Sequence, residues 1–132
     1  MKSFESVYKE LEELFIQKLP EYIQKNNIEH NDTIILKSLK NSKLDEDCLR
    51  LPCYKFGFEE SEYSEKDRII ENSIFKISLE IKLPQETLQK NIVFWRYVDA
   101  IQKLFEETET GYFYEIFRIK ESKIIIKVTL CR

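Results

Sequence analysis

The stretch Asn72–Thr108 constrains the fold more than any other part of the chain. Its first part, Phe75-Lys76-Ile77-Ser78-Leu79-Glu80-Ile81-Lys82-Leu83, alternates apolar and polar residues without a miss, the period of a strand with one buried face. Pro84 interrupts it. Beyond, Leu88, Ile92, Trp95, Val98, Ile101 and Phe105 recur at three- and four-residue intervals, the period of an amphipathic helix. A strand that passes into a helix with almost no linker calls for a sheet with a helix packed against it. Phe75, Ile77, Leu79, Ile81 and Leu83 are then the inward face of the strand, and Trp95 is the expected core anchor of the helix. With Trp95 and Val98 turned to the sheet, Phe94 and Tyr97 lie toward a flank or another subunit, which makes them candidate interface residues.

Upstream, Phe4, Val7, Tyr8, Leu11, Leu14, Phe15, Leu19 and Ile23 mark an opening amphipathic helix, with Ser3 as its N-cap. Pro20 predicts a kink or an end near Leu19, with a further turn before Asn26-Asn27 closes the helix, because an interior proline costs about 3 kcal/mol. Ile28–Leu51 is ambiguous: Thr33-Ile34-Ile35-Leu36 fits a strand or a helical turn, and Asn41–Asp47 is polar. Leu51-Pro52 leads into a short alternating strand, Tyr54-Lys55-Phe56-Gly57-Phe58. Glu59–Asp67 is so charged that it reads as a mobile loop between antiparallel strands, the second starting at Ile69 or Ile74.

After the central helix, Gly111 is a stop or turn residue. Tyr112–Lys120 is apolar on both faces, with Phe113, Phe117 and Ile119 on one side and Tyr112, Tyr114 and Ile116 on the other. Lys120-Glu121-Ser122-Lys123 fits a tight hairpin, and Ile124, Ile126, Val128 and Leu130 alternate in a last strand. The expectation is a single domain, 1–132, of the α+β class. It is an antiparallel or mixed sheet of about four strands, with the N-terminal and central helices on one face, in the order α-β-β-α-β-β.

Composition narrows function mainly by exclusion. An apolar content of 42% with 13% aromatic residues is that of a globular chain, not a disordered one. A net charge of −3 is not that of a dedicated nucleic-acid binder, which carries a strongly basic face. The charge is uneven: Tyr112–Arg132 holds five cations against Glu115 and Glu121, or +3, which leaves −6 for the rest. Three cysteines, an odd number without framework spacing, fit a reducing compartment. No export signal is recognised and no run of apolar residues is long enough to span a membrane.

Chemistry is sparse. His30 is the one histidine and sits in a polar run with no partner for a triad. Cys48 and Cys53 lack a second pair for zinc, and Asp45, Glu46 and Asp47 lack the glycine of a calcium loop. Glycine occurs only at Gly57 and Gly111, so no phosphate-cradling loop can form. Glu71, Glu80, Asp99 and Glu115 are read as solvated, leaving no catalytic, cofactor or metal residue to assign. Tyr112, Tyr114, Arg118, Lys123 and Lys127 put aromatic and basic side chains on one hairpin. That hairpin fits a protein interface, or less well a stacking surface for single strands.

The ordered set of features resembles the tail-terminator or tail-completion proteins of long-tailed bacteriophages, also called minor capsid or head–tail joining proteins. It comprises the opening helix through Leu19-Pro20, Leu51-Pro52 before Tyr54-Lys55-Phe56, a charged loop, Asn72-Ser73 before the long strand Phe75–Leu83, the helix Asn91–Phe105, and the aromatic hairpin. The acidity of Glu59–Asp67 and the undefined His30–Arg50 depart from that pattern. The resemblance implies a small α+β subunit, not an enzyme and without a cofactor. Such a subunit forms a ring, commonly a hexamer, that caps the tail tube and joins it to the head connector. It implies a virion-assembly protein made in the cytoplasm of a bacterial host, from a phage or prophage. An adaptor domain that binds one partner through the hairpin requires the same fold.

Overall fold

The computed structural model describes residues 4–41, 51–66, 69–109 and 112–131, with the backbone alone at 60–66, 69–73 and 130–131. Among them are three helices, α1 (Phe4–Gln17), α2 (Leu19–His30) and α3 (Lys90–Glu107). The strands are β1 (Lys40–Asn41), β2 (Cys53–Lys66), β3 (Ile69–Lys82), β4 (Phe113–Lys120) and β5 (Lys123–Cys131). They form one sheet in the order β1-β2-β3-β5-β4. The α+β class is as expected; the sheet has five strands and is mixed, since β1 runs parallel to β2 while every other pair is antiparallel.

Strand β3 is the spine. Phe75, Ile77, Leu79 and Ile81 are buried, and across the ladder the first three meet the equally buried β5 residues Val128, Ile126 and Ile124. Burying a side chain of this size contributes about 1.5–3 kcal/mol, so this double row fixes which face of the sheet the helices cover. Val7, Leu11 and Phe15 of α1 and Leu19 and Ile23 of α2 close over it. Phe15 lies 5.0 Å from Phe56 and 5.4 Å from Tyr54 between ring centres.

Several expectations are corrected. Pro20 does not end the helical region. It occupies the first turn of a new twelve-residue helix, where the missing N–H would have no intrahelical partner anyway. Asn26-Asn27 does not close that helix; Asn31, with φ 44°, does. Glu59–Lys66 is strand, not loop. Glu60, Ser61 and Glu62 pair with Lys76, Phe75 and Ile74 in register, because a ladder satisfies the backbone whatever the side chains, provided these reach water. Cys53 is disulfide-bonded, a pairing that the cysteine spacing does not suggest. Ser3, the polar stretch 42–47, Gly111 and residue 67 lie outside the described residues.

The ambiguous segment after α2 is neither strand nor helical turn at Thr33–Leu36. Side chains lace it down instead. The Arg96 guanidinium donates to both carboxylate oxygens of Asp32, at 2.9 and 2.6 Å, and to the Ile34 carbonyl at 2.9 Å. The Tyr97 hydroxyl donates to the Lys37 carbonyl at 2.6 Å. The hydrogen bonds from Arg96 hold the Asp32 carboxyl down at about 2, against an ordinary 3.8. A carboxyl whose folded pKa is depressed stabilises the fold fully above its unfolded value and loses that contribution as pH falls through the folded one. Asp32→Asn is therefore expected to lower the urea midpoint at pH 7. The gap to wild type should narrow from about pH 3.8 downward and close near pH 2.

Candidate interaction surface

With one sheet face covered by helices, the other is left with side chains that alternate outward from the buried set. Register places them in rows across the strands. Lys76, Lys127 and Glu115 form one row, Ser78, Ile125 and Arg118 a second, and Lys55, Glu80, Lys123 and Lys120 a third. A bulge between Ile116 and Arg118 inserts Phe117 as an extra residue, so that Phe117 turns outward, half-exposed, while Ile119 returns to the core.

Phe117 is the centre of a cationic cluster. Lys76 Nζ lies 4.8 Å from its ring centroid, Arg118 Cζ 5.7 Å and Lys127 Nζ 5.9 Å. Lys76 stands directly opposite Lys127, a juxtaposition of like charges that an antiparallel ladder disfavours and that the ring and Glu115 offset. Glu115 approaches Lys127 at 3.8 Å, and Glu59 pairs with Lys123 at 3.0 Å. Among the residues whose side chains are described, the outward face carries seven cations (Lys55, Lys76, Lys82, Arg118, Lys120, Lys123, Lys127) against Glu59, Glu80 and Glu115. The three helices carry nine carboxylates against five cations. Counted over those described side chains, the two sides differ in sign, +4 on the sheet face and −4 on the helices.

Of the residues singled out from sequence, the structure gathers Arg118, Lys123 and Lys127 on this face. It does not gather the aromatics. Tyr112 and Tyr114 are buried on the helix side, where Tyr114 stacks on Phe105 at 5.3 Å and its hydroxyl donates to Glu10 Oε1 at 2.9 Å. Phe94 and Tyr97 are buried too, and Trp95 is 51% exposed, so the expected anchor and flank of α3 are exchanged. Burial raises the Tyr97 hydroxyl to about 12. Sequence reading missed Phe117 and Lys76, whose only signal was the broken alternation of Tyr112–Lys120.

The carboxylates considered for catalysis do not converge. Glu80 faces Lys123 across the ladder, Glu115 pairs with Lys127, Asp99 is exposed on α3 and His30 is exposed at the end of α2. Glu71 lies among the undescribed side chains. Among the described residues no group of three or more His, Cys, Asp or Glu could hold a metal ion, and no helix is long and apolar enough to cross a membrane. The carboxylates interleaved with the lysines would repel a phosphate backbone and favour a partner that itself mixes charges. The chain matches no protein-family model and no curated protein.

Proposed function

We propose that the protein is a structural assembly subunit of the tail-terminator type, which joins copies of itself into a ring and meets a tail tube and a head connector. The observation that carries this reading is the division of charge between the described side chains of the sheet face and those of the helix layer. A basic sheet face meeting the acidic helix layer of the next copy is a heterologous contact, and such contacts close into a ring when the rotation permits. The exposed rings of Phe113 and Phe117 give that contact an apolar component, as interface centres have.

Light scattering at low salt is expected to show oligomers that dissociate at about 1 M salt, where the screening length falls to about 3 Å. Arg118→Glu with Lys127→Glu should leave a monomer at both salt concentrations. A wild-type chain that stays monomeric throughout, and that fails to cap purified tail tubes in electron micrographs, would sink the reading. The exposure of Phe113 and Phe117 also favours a second reading, an adaptor that uses the same hairpin face. A one-to-one complex with an acidic protein, in place of a ring, would select it.

A further inference from the structure

At one end of the sheet, between the start of α3 and the β4–β5 turn, lies a groove of about 1010 Å³. Leu51, Ile81, Leu83, Phe94, Trp95 and Ile119 supply its apolar lining, and Lys82 and Lys90 also line it. Trp95 and Leu51 are 51% and 42% exposed, although both are of the kind a domain buries when it can. Ile92, one turn before Trp95 on α3, is exposed as well, and so is Leu88 ahead of the helix.

Helix α3 already has a complete core stripe in Phe94, Tyr97, Val98, Ile101, Leu104 and Phe105. Ile92 and Trp95 lie outside that stripe and are exposed among the described residues. Among the described residues, Lys82 and Lys90 have no ion-pair partner, and Glu121, at the hairpin turn, is the one carboxylate that lines the groove. An aromatic floor with a net positive rim complements an apolar stripe flanked by negative charge.

We propose that this groove is a docking site for an amphipathic helix of a partner protein whose apolar stripe is flanked by carboxylates. The site is separate from the outward sheet face except for Lys82, and it does not depend on ring formation. Trp95 is the only tryptophan in the chain, so its emission reports occupancy directly.

The probe is a tryptophan-free helical peptide with leucines at i, i+4 and i+7 flanked by glutamates, titrated into the full chain. A saturable blue shift is expected. Affinity should fall about tenfold or more in Lys90→Glu, or when the flanking glutamates are replaced by lysines, and stay unchanged in the sheet-face variant Lys123→Glu. No shift, equal affinity for the two peptides, or indifference to Lys90→Glu would overturn the proposal. A shift that grows with protein concentration in the absence of peptide would assign the groove to a second copy. One produced by neutral phosphatidylcholine vesicles would assign it to lipid. Either result overturns the proposal while leaving the ring reading to its own test.

Discussion

Phe94→Ala is expected to lower the unfolding free energy by about 3–5 kcal/mol, and the adjacent Trp95→Ala by about 1 kcal/mol or less. Phe94 is 8% exposed and belongs to the core, so its removal leaves a cavity under the start of α3 that neighbouring side chains can fill only in part. Trp95 is half out in water, and its ring meets that of Phe94 edge to face, with 6.1 Å between centroids. Urea unfolding followed by circular dichroism compares the two without relying on tryptophan emission. Successive residues of a helix are about 100° apart around its axis. The reverse order of effects would therefore mean that α3 is rotated by one residue, with Trp95 inward as the bare periodicity of the sequence implies.

Why periodicity gets the helix right and its phase wrong is visible at Phe94-Trp95-Arg96-Tyr97. Large residues stand on nearly every side there, so spacing alone cannot say which two are inward. The choice is made by partners distant in the chain. Arg96 is held by Asp32 and Ile34, and Tyr97 by Lys37, in a segment whose own sequence fits more than one structure. Arg96 is accordingly buried, which no rule of composition would suggest. The β3 and β5 faces were legible because a half-buried strand in mid-sheet has one way to alternate. The end of β2 was not, since its stabilisation comes from the ladder to β3 and leaves no apolar pattern in Glu59–Lys66. At the candidate surface, Arg118, Lys123 and Lys127 could be read from charge alone. The burial of Tyr112 and Tyr114 could not, because it depends on Phe105 and Glu10 arriving from the helix layer.

Asn27→Ala is expected to destabilise the protein by about 2–4 kcal/mol, a large effect for a polar residue on a helix. Its side-chain amide grips both backbone groups of one residue: Oδ1 accepts the Leu36 N–H at 2.8 Å, and Nδ2 donates to the Leu36 carbonyl at 3.0 Å. The arrangement copies the paired bonds of a sheet ladder within the side chain of a helix. It also explains why Asn27 does not end α2, since its amide is engaged with the neighbouring segment and does not compete for the local backbone. Leu36 is itself buried in the core. Removing the amide leaves an N–H and a carbonyl, both shielded from water, without partners, each at a cost of about 1–3 kcal/mol less whatever water recovers. Asn27→Asp keeps the acceptor and loses the donor, so about half the effect should remain. Amide exchange at Leu36 should quicken in Asn27→Ala and much less in Asn27→Asp. Unchanged exchange and stability in the alanine variant would show that Arg96 and Tyr97 hold the segment without it. If the clamp is needed, its loss should spread to β1, which the same segment delivers to the edge of β2 through the Lys40 N–H and the Pro52 carbonyl at 3.1 Å.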